Sequence, residues 1–488
     1  MRYAGSFLVA PRVTPVLDPA FRPAVLARRA FDEAVELSGR PVEVTVALEQ
    51  ADGSVSRSSM RFLPPDHPEA GANPFFLERW IKFLLWSRGG HRVYVAGPEE
   101  FAEKLGRHYA LESNGRFDAQ MMGERIYGRP FEVLHCAPAE LPPEKRRSQR
   151  LGGHWDGCRI GFDLGGSDRK VAAVQDGKVL YSNETPWDPI VRTDPRWHFE
   201  QIMEGLREAA AHLPRVDAIG GSAAGVYVNN RVRVASLFRS VPPDLFRSQV
   251  KDLFLEIRRA WNNVPLEVVN DGEVTALAGS MQLNDGGVLG IAMGTSTAGG
   301  YVTLERSLTT WLDELAFVPV DYRADAPLDE WSKDLGCASQ YLSQQCVGRL
   351  IGVAGITVDP DTPLPEILKH VQDLMARDDY RARKIFQTIG VYLGYALAHL
   401  AEFYDLKHLL ILGRVTSGEG GQIILDHARE VLATEFPELL EKVRLHLPGE
   451  TEKRHGQAIA AATLPEIPKE PSAGAPGRPK IKVKRQEG

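Results

Sequence analysis

The stretch RIGFDLGGSDRKVAAVQDGKVLYSNETPW, residues 159–187, decides how this chain is read. An apolar run meets one aspartate and two glycines, resumes, turns at Asp176-Gly177 and runs on again. The pattern predicts three consecutive strands joined by two tight turns. A hairpin tip rich in glycine leaves its backbone N–H groups unshielded and lets a bulky anion approach closely. In that reading Gly165, Gly166 and Ser167 can touch phosphate oxygens, and Lys170 supplies a nearby charge, although strand alternation can turn it elsewhere. Asp163, just before the turn, can hold a hydrated Mg²⁺. The plain alternative is an ordinary hairpin.

The arrangement recurs. In GGVLGIAMGTSTAGGYVTLE (286–305) a strand, a glycine turn and a strand follow one another, and ELAFVPVDY (314–322) is expected to supply the third strand. Gly294, Thr295, Ser296 and Thr297 offer N–H and hydroxyl donors there. Each set is followed by helical segments, WHFEQIMEGLREAAAHL (197–213) and ARKIFQTIGVYLGYALAHLAEFY (382–404). Two similar halves facing each other would leave a cleft between their glycine turns. Neither turn matches GxxxxGK[ST], and neither fits GxGxxG opening a helix. Between them, PLEVVNDGEVTALAG (265–279) reads as a buried strand running into a helix. Asn270 and Asp271 then sit at a strand's carboxyl end, where open α/β sheets bind ligands. Asp271 is either the helix N-cap or a carboxylate available for chemistry.

Composition bounds the classes. With 488 residues, several domains are expected. Apolar content of 43% and 25% charged residues fit an ordinary globular chain. A net charge of -6 gives no electrostatic case for general nucleic-acid binding. The four cysteines, Cys136, Cys158, Cys337 and Cys346, have no metal-ligand spacing. A proline breaks the short apolar run at the N-terminus, and no run of about 20 apolar residues follows, so no membrane span and a cytoplasmic location are expected.

The fold class expected is α/β, with boundaries drawn from composition. Residues 1–140 form a small N-terminal α+β or α/β domain, including an amphipathic helix in NPFFLERWIKFLLWSR (73–88). Residues 141–157, rich in proline, glycine and charge, form a linker. Segments 158–285 and 286–464 form the two α/β halves, and 465–488 is a disordered basic tail. The aromatic segment SNETPWDPIVRTDPRWH (182–198) could line a pocket with Trp187, Asp188, Trp197 and His198, or form local core.

The series GFDLGGSDRK, VVNDGEVTALAG, GIAMGTSTAGG and LLILGRVTSGEGG, closing with GQAIAAATL, resembles the actin-like ATPase superfamily over residues 158–464. Within it, the order and wording resemble the ROK (repressor, open reading frame, kinase) sugar kinases. The resemblance implies two ribonuclease H-like domains facing a cleft, with ATP and Mg²⁺ as cofactors and a small hydroxyl compound as acceptor. A homo-oligomer, such as a dimer, is expected with it, while the net charge and the lack of a long apolar run leave no nucleic-acid or membrane partner expected. Carried over position by position, Asp163, Gly165, Gly166, Ser167 and Lys170 grip ATP phosphates from one side, and Gly294, Thr295 and Ser296 from the other. Gly413 receives the nucleoside, Asp271 is the general base, and Asn270 and Glu314 contact the acceptor. Asp163 meets Mg²⁺ through water.

The resemblance fails in places. ROK sugar kinases carry ExGH, whose Glu and His hold the sugar while the His also binds zinc; here DELAFVPV keeps Glu314 but has Phe317 in place of the His. Their CxCGxxGC zinc motif is reduced in WSKDLGCASQYLS (331–343) to Cys337, with Ser339 where a sugar-binding Glu would stand. One cysteine cannot build a tetrahedral site, so no zinc is expected. LGRVTSG has Arg414 where a second glycine is usual. The leading expectation is an ATP-dependent kinase of a sugar-like small molecule. The alternative is a ROK-like regulator that binds nucleotide or sugar without turnover.

Overall fold

The strand Cys158–Leu164 is buried at every residue. A continuous apolar run of this kind suits a strand covered on both faces. In the computed structural model of the chain, which describes residues 4–145, 148–149, 152–448 and 450–468, this strand is central to a five-stranded sheet. The order is Leu266–Asn270, Ala218–Ala223, Cys158–Leu164, Asp168–Gln175, Lys178–Pro186. The first three strands run parallel and the last two return antiparallel. The three strands anticipated from residues 159–187 are therefore present. Asp176 and Gly177 turn the second into the third with φ of 47° and 81°, the left-handed backbone that Asn, Asp and Gly tolerate best.

The chain divides into two compact units. One contains Met1–Arg147, Leu289–Gly299 and Thr309–Leu447; the other contains Ser148–Val288, Gly300–Leu308 and the chain from Pro448. This division departs from the sequence-drawn boundaries. Residues 1–140 cluster with much of the second half, and the closing helix Glu450–Ala462 clusters with the first half.

Glycine explains the second departure. A Cβ on Gly161 would lie 1.8 Å from the Ala458 carbonyl oxygen, and one on Gly220 would lie 1.7 Å from that of Ala461. Backbone lies directly on backbone there, a contact that no other residue permits. Phe162, Ile219, Leu206, Phe254 and Leu266 fill the core of this unit. The segment expected to be a linker is also anchored: Gly152 N donates to the Leu464 oxygen, and His154 N to that of Thr463. Residues 146–147 and 150–151, which carry much of its basic run, lie outside the described residues, as does the anticipated tail beyond residue 468.

In the other unit, residues 42–135 build a four-stranded sheet in the order Val55–Phe62, Val42–Glu49, Arg92–Ala96, Glu132–His135. The helix Asn73–Arg88 is not amphipathic as expected: every residue except Pro74 is buried. A second sheet places Arg444–His446, His408–Leu412, Val288–Met293 and Thr297–Val302 side by side. Its order repeats that of the five-stranded sheet: a hairpin bearing the glycine turn, with two later strands added beside the hairpin's first strand. ELAFVPVDY is not the third strand of this set. It forms a short 3₁₀ turn at Leu315–Phe317 and isolated bridges at Pro319 and Asp321, while Leu308–Thr309 pairs with Val302. Pro319, lacking an N–H, cannot sustain a ladder there.

Gly161→Ala should destabilise the chain by about 1–3 kcal/mol or more, as overpacking against rigid backbone does. Gly106→Ala, in the helix Glu99–Leu111 with nothing within 4 Å of the added carbon, should instead stabilise it by about 0.5–1 kcal/mol. Denaturant unfolding of both variants measures the contrast.

Candidate functional site

Strand register places the first cluster. Asp163 lies opposite Lys170 in the antiparallel pair and beside Ser222 in the parallel pair, so the three side chains share a face. Ser222 Oγ donates to Asp163 Oδ1 at 2.6 Å, and Lys170 Nζ lies 3.4 Å from Asp163 Oδ2 and 3.1 Å from Asp168 Oδ1. The question left by strand alternation is thereby answered: Lys170 faces Asp163. Burial raises the Asp163 carboxyl above the ordinary range, outweighing Lys170 and Ser222. Burial also disfavours the Lys170 charge, but Asp163 and Asp168 outweigh it and raise the ammonium.

Above this pair the chain turns through Gly165, Gly166 and Ser167. Gly165 N donates to the Asp168 oxygen at 3.0 Å, and Ser167 Oγ to Asp168 Oδ2 at 2.8 Å. A Cβ on Gly165 would come no closer than 3.2 Å to a neighbour, and one on Gly166 no closer than 3.5 Å. Neither glycine has the positive φ that excludes side chains. The fold itself makes little demand for glycine here, unlike at Gly161 and Gly220. Trp187, which the sequence left between pocket and core, anchors the turn. It is buried, its indole N–H donates to the Gly165 oxygen at 2.8 Å, and its ring stacks with Trp197. Fully buried His198, with its ring nitrogens against the carbonyls of Asp194, Pro189 and Leu237, belongs to the local core.

The strand Leu266–Asn270 delivers the next pair. Asn270, not Asp271, caps the helix Asp271–Leu283: its Oδ1 accepts from Gly272 N at 2.7 Å, and Glu273 accepts from the Asn270 N–H in return. The Asn270 amide also donates to the Gly225 oxygen at 2.7 Å. Asp271 is the first helical residue, with its Oδ1 3.1 Å from Gly272 N. The helix start is packed closely, since a Cβ on Gly300 would lie 2.1 Å from the Gly272 oxygen. Gln457 of the closing helix donates to Thr275 Oγ1 and to the Asp271 oxygen. Although partly exposed, Asp271 is crowded by protein. Burial first, then repulsion from Asp163, raises its pKa to about 6, against the lowering pull of Gly272 N–H and Lys170.

The other unit holds the second turn. Gly294 N donates to the Ser296 oxygen, and Thr295 and Ser296 are exposed. Gly413 lies beside it: its φ is 102°, and a Cβ there would meet the Met293 oxygen at 2.6 Å, so this glycine is demanded by backbone packing. Arg414 is exposed. Glu314 lies between Asp313 and the 3₁₀ turn, its N–H donating to the Trp86 oxygen. Phe317 is core, its ring tilted against Trp86 with centroids 4.1 Å apart, and near Phe117 and Trp331. Ser339 donates to Asp329, which also accepts from Ser332. Asp163, Lys170 and Asp271 are thus brought together in one unit, and Gly294 and Gly413 in the other. Among the described residues no group of three or more His, Cys, Asp or Glu side chains is placed to hold a metal ion.

Ser222 was not singled out as a site residue from the sequence, and Trp187 was singled out only as a candidate for pocket or local core. IGGSAA carried the only local signal for Ser222, small residues at a strand end; nothing near Trp187 announced its bond to Gly165.

No family model and no curated protein matches the sequence. Solved structures do match. The chain is similar to a ROK family transcriptional regulator, a homologue of the E. coli MLC protein, at 19% identity over 67% of this chain and 81% of that one, with a TM-score of 0.51. It is also similar to a ROK hexokinase from Thermus thermophilus (18% identity, 62% and 97% coverage, TM-score 0.49). A third match is a ROK family glucokinase from Streptomyces griseus in complex with glucose and AMPPNP (21% identity, 63% and 98% coverage, TM-score 0.46). The chain has the actin-like ATPase fold of the ROK proteins.

The capping assignment and the raised carboxyl make opposite predictions for neighbouring residues. Asn270→Ala should cost about 0.5–2 kcal/mol at every pH, the value of a lost cap. Asp271 binds its proton more tightly folded than unfolded, so wild-type stability should fall as pH rises from the ordinary value of 3.8 through about 6. Asp271→Asn abolishes that fall and should be more stable than wild type at pH 8, with the advantage shrinking towards pH 3.5. Urea unfolding at the two pH values reads both effects.

Proposed function

We propose that the chain is an ATP-dependent phosphotransferase acting on a hydroxyl of a sugar-like small molecule, with Asp271 as general base. The carrying observation is Asp271: excused from capping by Asn270, set at a strand's carboxyl end, and raised to about 6 beside Asp163 and Lys170. A carboxylate of that basicity is ionised at neutral pH yet accepts a proton more readily than an ordinary aspartate, which suits a base near its working pH.

In this reading Asp271 takes the proton of the acceptor hydroxyl. As the hydroxyl oxygen bonds to the γ-phosphorus, the bond from that phosphorus to the β–γ bridging oxygen breaks and ADP leaves. Gly165, Gly166 and Ser167 offer N–H groups and room to the phosphates. Lys170, now shared between Asp163 and Asp168, supplies positive charge next to that turn. Mg²⁺, when bound with the nucleotide, neutralises phosphate charge, and Asp163 is the residue that would meet it through water. By the resemblance, Gly294, Thr295 and Ser296 would meet phosphate and Gly413 the nucleoside. Asn270 has its amide committed to Gly272 and Gly225, so its part is mainly to place Asp271, while Glu314 is the acceptor contact.

One observation favours a second reading, a nucleotide- or sugar-binding regulator without turnover. Phe317, where a sugar-binding histidine would stand, is built into an aromatic core and offers no hydrogen bond. A site lacking a matched polar partner discriminates weakly for the usual hexoses.

Phosphorylated product and ADP should be followed with Mg²⁺–ATP and a panel of sugars, amino sugars and polyols. Acceptor-dependent turnover is expected, with Asp271→Asn lowering kcat by about 10²–10⁴-fold and with kcat/KM rising with pH through about 6. Nucleotide binding without turnover on any acceptor would favour the regulator.

A further inference from the structure

The helix Asn73–Arg88 carries Glu78, Arg79, Lys82 and Arg88, all buried. Buried charges persist only when paired, and two of these pairs reach far along the chain. Lys82 Nζ, on a fully buried side chain, lies 2.9 Å from Asp118 Oδ2 and 3.0 Å from Asp334 Oδ2. Arg79 reaches the same Asp334 oxygen at 2.9 Å. Asn114 and the Leu335 N–H donate to the other oxygen of Asp334. One carboxylate thus fixes the segment that follows it to this helix.

That segment runs straight to the second glycine turn. Ala338 N donates to the Val318 oxygen, the Leu342 oxygen accepts from Thr297 Oγ1 at 3.1 Å, and Gln344 N donates to the Gly294 oxygen at 2.9 Å. A second route leaves the same helix at its carboxyl end. The oxygens of Trp86 and Ser87, which helical bonding leaves unpaired, accept from the N–H groups of Glu314 and Asp313, both at 3.0 Å. Residues 313–315 then press on the strand leaving the turn: a Cβ on Gly299 would lie 2.4 Å from Leu315 Cγ and 2.8 Å from the Asp313 oxygen. The turn 294–296 is therefore held from both flanks by one helix.

We propose that the Asn73–Arg88 helix is the buttress that sets the glycine turn 294–296 for nucleotide phosphates, with Lys82 and Arg79 acting through Asp334 as positioning residues. This inference rests on the phosphotransferase reading for what the turn binds. It makes the N-terminal residues part of the nucleotide site's framework. The buttress uses cations fixed in the chain, and their carboxylate partner Asp334 lies in residues 331–343, the reduced match to the zinc motif.

The test compares full-length wild type with Lys82→Met, the milder Asp334→Asn, and Val35→Ala as a destabilised control at a buried position of the helix Ala24–Leu37. Calorimetric titrations with Mg²⁺–ATP and with AMP are read beside hydrogen exchange at residues 294–297 and 313–317. Displacing the turn should weaken ATP by about tenfold, the scale seen when the support of a ligand-binding group is removed. AMP, lacking the outer phosphates, should change by less than about twofold, and exchange should quicken in both segments. Val35→Ala should alter neither the ATP-to-AMP ratio nor that exchange. Parallel weakening of ATP and AMP, or unaltered ATP affinity in both test variants, overturns the inference while leaving the phosphotransferase reading in place. Wild type that binds no nucleotide sinks the phosphotransferase reading and the phosphate role together. Exchange then decides the buttress itself: quickened exchange supports it, and unchanged protection in both variants refutes it.

Discussion

Where the carbonyls of Ala458 and Ala461 meet Gly161 and Gly220, there is no room for a single carbon atom. That closeness lets the helix Glu450–Ala462, far away in sequence, seal one face of the five-stranded sheet. Core side chains such as Phe162 and Ile219 fill the unit's interior. The carboxyl ends of its three parallel strands lie at the edge where open α/β sheets bind ligands. Asp163, Ser222 and Asn270 all sit there. The sealing helix reaches that edge through Gln457, which bonds both Thr275 and the Asp271 carbonyl, so the helix that closes the sheet also holds the backbone of Asp271.

At that edge the electrostatics run against stability. Asp163, Asp168 and Asp271 share the influence of Lys170, and burial raises both Asp163 and Asp271. A fold selected only for stability would neutralise or solvate such groups. Local costs of this kind, carried by a firmly packed frame, are characteristic of sites shaped for chemistry. The glycines above them point the same way. Neither Gly165 nor Gly166 is required by backbone angle, and a Cβ would come within 3.2 Å of a neighbour at the first and 3.5 Å at the second, which agrees with the phosphate approach proposed for this turn.

What the sequence could say followed from how local each feature is. The strand–turn–strand reading of residues 159–187 survived because strand burial and the Asp176-Gly177 turn are encoded within a few residues. Asn270 and Asp271 were harder: either residue type caps a helix well, and only the paired bond with Glu273 decides between them. The helix Asn73–Arg88 was misread because its charges look solvent-facing in a linear pattern, whereas their partner Asp334 lies 255 positions from Arg79. The closing helix was assigned to the wrong half for the same reason, its seat being Gly161 and Gly220, far earlier in the chain.

The single cysteine of residues 331–343 and the phenylalanine at position 317 then have a common physical account. A divalent ion cross-links a loop by charge and can be removed; Lys82 and Arg79 cross-link the segment around Asp334 by charge and cannot. Burying those cations requires a helix with protein on every side, and Phe317 with Trp86 supplies part of that surround. A histidine at position 317 would put polar nitrogens into that aromatic cluster, where an unmatched polar group is costly. Under the proposed phosphotransferase reading, a framework held by an internal helix leaves the acceptor free to differ from a hexose.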